Sequence, residues 1–311
     1  MPFESTTSER AGLARVAFAG LVWGSIAIFV RQIDTSPFVI VFWRVTFAGL
    51  VTTAYLFARD RLGELVALPS RKRLAIGSMG VLLALNWVLF MGAFQLVDVA
   101  VVVLLGYLGP VVVALLTPLV GKERFDRRIL LPLAFSLAGT IVILGPRDLH
   151  LNGGTEGLGV AMALASSITY AMLVLNARRL VQDVSTPVYM LGEYIAAAIV
   201  LLPAVLFLPG PGTAIEWGAL GVLGTVHTAA TSLLILSALR AVRADRVAIM
   251  TYAEPVSAVL FAAAFLGESI TASTAVGGLA VVIGGLMVAR LQPSGTAEGP
   301  QTLTDRYVDE I

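Results

Sequence analysis

Four ionisable side chains of this 311-residue chain sit inside long apolar stretches: Arg44, Glu193, His227 and Glu254. An ionisable group at the centre of a membrane helix costs ~2.5–3.5 kcal/mol on insertion scales, so each is a candidate for function. Arg44 carries a planar guanidinium suited to a substrate carboxylate or carbonyl. A structural arginine bonded to helix-end carbonyls is the other reading, and both stand open. Glu193 and Glu254 are carboxyls able to load and release a proton. Glu254 can also receive a substrate ammonium, or can be a structural carboxyl beside a kink at Pro255. His227, with an ordinary pKa of about 6.5, suits a proton relay or a neutral partner for substrate. A hydrogen bond to Thr225, Thr228 or a neighbouring helix accounts for it as well.

The remaining candidates are polar or aromatic. Asn86 can donate and accept across a cavity, or tie two helices together. Trp23, Trp43, Trp87, Tyr107, Tyr170 and Tyr252 fall inside apolar stretches, whereas Trp217 lies at the end of one, where an interfacial belt explains it. Aromatic walls with few polar groups suit a zwitterionic or neutral substrate with an apolar side chain. The expected substrate contacts are Trp23, Arg44, Asn86, Tyr107, Tyr170, His227 and Tyr252. The expected proton-coupling groups are Glu193, Glu254 and His227. Depth from helix rise sets Arg44 roughly 10 Å below the outer face and Glu193 roughly 9 Å above the inner face. Separate roles are therefore expected for these two, with Tyr107 serving the outer half and Tyr252 the inner half. His150 is the only other histidine and cysteine is absent, so no metal site, disulfide, thiol chemistry or cofactor is expected.

These residues need long apolar elements to position them, and the composition supplies them. Hydrophobic residues make up 58% of the chain, charged residues 13%, and mean hydropathy is +0.89. Ten apolar segments are long enough to cross a hydrocarbon core of about 30 Å. They are Ala14–Val30, Pro37–Ala58, Leu74–Gln95, Val99–Val120, Ile129–Leu144, Gly157–Asn176, Pro187–Leu208, Trp217–Leu239, Val247–Leu266 and Thr271–Ala289. Of the 21 Lys and Arg residues, 18 fall on one side of the resulting topology. Arg31 and Arg147 fall on the other, and Arg44 lies within a span. Both termini are then cytoplasmic. Net charge is +1, which gives no sign of nucleic-acid binding. Residues 1–13 read as a polar cytoplasmic tail, with the first span retained as a signal anchor. Residues 291–311 read as a disordered cytoplasmic tail.

The chain also looks duplicated. An external linker, 146–156, separates a five-span repeat at 14–145 from a second at 157–290. Ser36-Pro37 and Thr186-Pro187 open matching spans. Tyr107-Leu108-Gly109-Pro110 matches Tyr252-Ala253-Glu254-Pro255, and each proline precedes an apolar run ending at Gly121-Lys122-Glu123 or Gly267-Glu268. Five spans per half place the second repeat upside down relative to the first. The expected fold is all-α and integral to a membrane: ten transmembrane helices in two inverted five-helix repeats. Such architectures carry a site near the midplane between the repeats. Pro110 and Pro255 are the matched hinge candidates. The glycines of the last span, Gly277, Gly278, Gly284 and Gly285, allow close helix approach, either against the ninth span or in a homodimer.

The Leu-Val-Trp-Gly-Ser of residues 21–25, Phe42-Trp43-Arg44, Pro110…Gly121-Lys122-Glu123 and Pro255…Gly267-Glu268 together resemble the drug/metabolite transporter superfamily, specifically its EamA-type exporters. The resemblance covers residues 14–290 and is nearest in character to the bacterial aromatic amino acid exporters of that family. One departure is Ala165-Ser166-Ser167-Ile168-Thr169-Tyr170, where the second half has no Trp-Gly-Ser copy, so the site is not expected to be an exact twofold. The resemblance implies a secondary exporter of amino acids, aromatic and other neutral ones favoured, working by alternating access across a bacterial inner membrane. Export of drugs or other metabolites and passive facilitation are the alternatives. The expected partners are a small-molecule substrate and the bilayer, with a homodimer through the last helix as an open option. No phosphate-binding Gly-x-x-x-x-Gly-Lys loop, His-Glu-x-x-His or aspartate-rich motif is present, so no enzyme is expected.

Overall fold

A computed structural model describes residues 2–93, 95–97, 99–120, 125–144, 155–266 and 270–291. Fifteen α-helices run through them, in chain order α1 Pro2–Trp23, α2 Ile26–Val30, α3 Pro37–Ala58, α4 Gly63–Ala67, α5 Ser70–Ala93, α6 Val99–Gly106, α7 Gly109–Val120, α8 Leu130–Leu144, α9 Glu156–Asp183, α10 Thr186–Phe207, α11 Ala214–Gly224, α12 Thr231–Ala238, α13 Ala244–Met250, α14 Ala253–Leu266 and α15 Ala272–Arg290. Among the described residues there is no strand, and nine helical runs are long and apolar enough to span a bilayer. They include Ser8–Val30, Val101–Val120, Ala214–Ala238 and Ala244–Phe265, each built from more than one helix. The fifth apolar segment forms α8, which at 15 residues is shorter.

Several boundaries differ from the sequence expectation. The polar start is helical, because α1 runs from Pro2 without a break and buries Glu9 and Leu13. Polarity suggested a tail; the packing of Leu13 and Val16 in the core and an ion pair from Glu9 to Arg246 make it a helix. α9 extends seven residues past Asn176, where Arg178 and Gln182 donate to the Leu239 carbonyl in the turn between α12 and α13. The repeat endings Gly121-Lys122-Glu123 and Gly267-Glu268 lie outside the described residues, as do Arg147, His150, most of the linker and the tail beyond Leu291.

The two prolines of the Tyr-x-x-Pro pairs do mark helix breaks. α6 ends at Gly106 and α7 begins at Gly109, while α13 ends at Met250 and α14 begins at Ala253. Each proline falls in the first turn of the new helix, where a backbone N–H has no partner within that helix. Pro118 and Pro203 sit inside α7 and α10 without ending either helix, so proline alone does not decide.

The halves pack reciprocally. α3 lies on α10 and α8 on α15, each joining equivalent spans. α5 packs on α9 as α1 packs on α12, and α7 on α9 as α14 on α1. Missing side chains permit the closest approaches. A Cβ on Gly277 would lie 2.5 Å from the Gly139 carbonyl, and one on Gly80 2.2 Å from that of Glu193. Gly277 and Gly284 thus face α8, whereas Gly278 and Gly285 only touch Val256 and Met250 of the ninth span. The expected small-residue contact is made chiefly with the fifth span, within one chain.

Candidate functional site

The helix breaks bring four of the singled-out residues together. Tyr252, in the second break, donates its hydroxyl to the carbonyl of Tyr107 in the first, at 2.5 Å. Their rings lie 5.8 Å apart. Outer and inner roles for these two tyrosines are not what the structure has: they meet. A broken helix frees carbonyls in the bilayer, and a hydroxyl from the opposite repeat satisfies one of them. Ser167 of α9 satisfies others, donating to the carbonyls of Leu105 (2.5 Å) and Gly106 (3.3 Å), the latter being the acceptor that Pro110 leaves without its helical N–H. Tyr170, one turn further along α9, bonds to Thr251 and lies where a Gly109 side chain would be, 2.7 Å from its Cβ position.

Glu254 follows the second break and completes the cluster. It lies within electrostatic reach of Arg44, Tyr107 and Tyr170. Glu254, Tyr107, Tyr170 and Trp87 are half-buried.

Arg44 enters from α3. Its guanidinium lies 4.2 Å from the centroid of the Trp87 ring, a cation–π stack. Its Nε donates a long bond, 3.4 Å, to Thr228 Oγ1. The two terminal nitrogens have no hydrogen-bond or ion-pair partner among the described residues. This differs from a structural arginine tied to helix-end carbonyls. The stack presents an oriented fork with its donors free. Tyr194, the residue at the matching repeat position, reaches the Thr228 carbonyl at 3.5 Å, so both repeats meet on one threonine. Sequence reasoning did not foresee Trp87 and Thr228 as partners of Arg44; nothing local in the chain links them.

Three other candidates are placed differently. Asn86 donates to the Ser166 carbonyl (2.7 Å) and Thr169 Oγ1 (2.9 Å), joining α5 to α9. Trp23 donates its indole N–H to the His227 carbonyl (3.1 Å) and Thr231 Oγ1 (3.0 Å). His227 itself sits in a π-helical turn, Thr225–Ala230, with Nε2 2.7 Å from Ser25 Oγ. The Trp-Gly-Ser segment therefore clamps the π-turn that carries Thr228 and His227. Gly24 is required on another side, against α14, where its Cβ would fall 2.5 Å from the Ala258 backbone nitrogen.

Glu193 is buried on α10 and accepts one bond, from Tyr189 at 2.9 Å. It has no cationic partner among the described residues, and Arg44 is not among its electrostatic neighbours. Trp217 is not simply a belt residue: it packs edge-on to Trp43 at 4.6 Å. On the loops, Arg61 donates to Glu64 at 2.5 and 2.9 Å, which holds the Glu64 carboxyl below the ordinary carboxylate range.

Comparison with known proteins agrees with this architecture. The EamA-like transporter family matches twice, over residues 10–145 and again over 157–290. An uncharacterized transporter of Archaeoglobus fulgidus is 28% identical over 283 residues, covering 90% of this chain and 96% of the relative. A solved crystal structure aligns with a TM-score of 0.77 at 22% identity, covering 89% of this chain and 96% of that one, a likeness of fold.

Proposed function

We propose that this chain, which belongs to the EamA-like transporter family and is a multi-pass membrane transporter, exports amino acids, neutral and aromatic ones favoured, by alternating access across a bacterial inner membrane. The observation that carries the substrate class is the Arg44 fork. It is stacked on Trp87, its terminal donors are free, Glu254 stands within reach, and Tyr107, Tyr170 and Tyr252 lie around the breaks. A carboxylate meets Arg44, an ammonium meets Glu254, and an apolar side chain meets the tyrosines. Neither charge then needs a permanent partner, because a zwitterion supplies both.

Reciprocal packing of equivalent helices and two matched broken helices support an inverted repeat moving about hinges at Pro110 and Pro255, and the distribution of Lys and Arg supports cytoplasmic termini. For coupling, Glu254 is the leading proton site because it lies beside the substrate groups. Glu193 is the second, a buried carboxyl with one donor. His227 ranks third, held as it is by Ser25.

Purified protein in proteoliposomes tests this reading with labelled phenylalanine, tryptophan, threonine and glutamate, with and without a pH gradient. Saturable counterflow of the neutral amino acids, weakened when Arg44 is replaced, is the expected result. Flux that neither saturates nor exchanges points to a facilitator. Absence of flux for all four moves the substrate to other metabolites or drugs.

A further inference from the structure

The turn at residues 239–243, between α12 and α13, is pinned from both flanks. Just beyond it Arg246 is fully buried, at 0% exposure. Its guanidinium donates to Glu9 Oε1 (2.5 Å) and to the Leu291 carbonyl (3.2 Å), and lies 3.7 Å from Asp126 Oδ2. Glu9 sits on α1 and Asp126, itself paired with Arg128 at 2.9 Å, precedes α8, so two carboxylates of the first half lie against one arginine of the second. The turn itself seats directly on α1, where a Cβ on Gly12 would lie 2.6 Å from Val242. From the other flank, Arg178 donates to the Leu239 carbonyl and Arg240 to those of Val181 and Val184. In the repeat counterpart, the turn after α5, the described residues 95–97 meet α9 through apolar contacts of Leu96 and Val97 over Gly159.

We infer that Arg246, Glu9 and Asp126 form an ionic clasp that closes the cytoplasmic gate of the transporter, with the 239–243 turn as the moving part. This rests on the alternating-access reading above. The chemistry suits a gate. Charged partners that separate are rehydrated, which offsets part of the cost of exposing the apolar turn around Val242 to water.

The chain has no cysteine, so Val242→Cys places a single thiol under the clasp. Val242 is at 0% exposure, and so is Val39 near the opposite end of the bundle. Labelling of each single-cysteine protein by a membrane-impermeant maleimide in nanodiscs is compared with and without Glu9→Gln plus Asp126→Asn. The expected result is labelling of Val242→Cys at least about tenfold faster once the carboxylates are neutralised, ~1.4 kcal/mol in the opening equilibrium, with Val39→Cys unchanged. Equal rates at Val242→Cys with and without the clasp overturn the proposal. So does a matching rise at Val39→Cys, which signals general loosening. If neutralisation prevents folding, Arg246→Lys is read by the same two criteria. No substrate enters the assay, so failure of the amino acid reading and failure of the clasp are told apart.

Discussion

Two neighbouring glycines give the sharpest test of the packing. A methyl group on Gly277 would meet the Gly139 carbonyl at 2.5 Å and the Ile143 amide nitrogen at 2.8 Å. Both are backbone atoms of α8, which cannot rotate away, so Gly277→Ala must push α8 and α15 apart. Overpacking of this kind costs ~1–3 kcal/mol. On Gly278 the same methyl group finds only Val256 Cγ1, at 3.9 Å, an ordinary contact. There the substitution relieves a helical glycine and gains ~0.5–1 kcal/mol. The two variants should therefore differ by about 1.5–4 kcal/mol, with Gly277→Ala the weaker. At ~2–4 °C per kcal/mol for a chain of this size, a gap of about 3 °C or more is expected. Thermal unfolding in detergent, followed by tryptophan fluorescence, reads it. Indistinguishable melting temperatures, or a lower one for Gly278→Ala, would refute the assigned α8–α15 interface.

Three further substitutions separate binding from scaffolding. Arg44→Lys keeps the charge but loses the planar fork and its stack on Trp87, so apparent substrate affinity in counterflow should fall about tenfold, ~1.4 kcal/mol. Retained affinity would return Arg44 to a structural role. Asn86→Ala removes the bonds between α5 and α9 and should lower stability by ~0.6–2 kcal/mol in a detergent melt while substrate affinity holds. A large affinity loss with normal melting would make Asn86 a ligand instead. Tyr252→Phe strips the Tyr107 carbonyl of its donor, for ~1–3 kcal/mol. Faster amide exchange confined to residues around the two breaks is the expected signature, and uniform exchange across the bundle would count against it.

What the chain determines alone is whatever local chemistry or pattern dictates. With 58% hydrophobic residues, its apolar segments are long enough to span a membrane. The matched Tyr-x-x-Pro sites at Tyr107 and Tyr252 are legible in the order of residues, but Pro118 and Pro203 stay inside their helices, so the breaks at Pro110 and Pro255 are a matter of packing. Arg44 and Glu254 announce themselves because charge is rare and costly in hydrocarbon. Inversion of the repeats sets Tyr107 and Tyr252 in opposite halves, yet the breaks bring their rings to 5.8 Å. The stack of Arg44 on Trp87 and the pairing of Glu9 with Arg246 join residues far apart in the chain. So does the burial of Glu9 in a stretch whose polarity reads as a tail. Gly277 and Gly278 are indistinguishable as letters; only the rotation of α15 against α8 turns one toward a backbone carbonyl and leaves the other in open contact. Hydropathy records how often a residue type is wet, whereas a partner is decided by crossing angle and helix rotation, which exist only once the helices are packed.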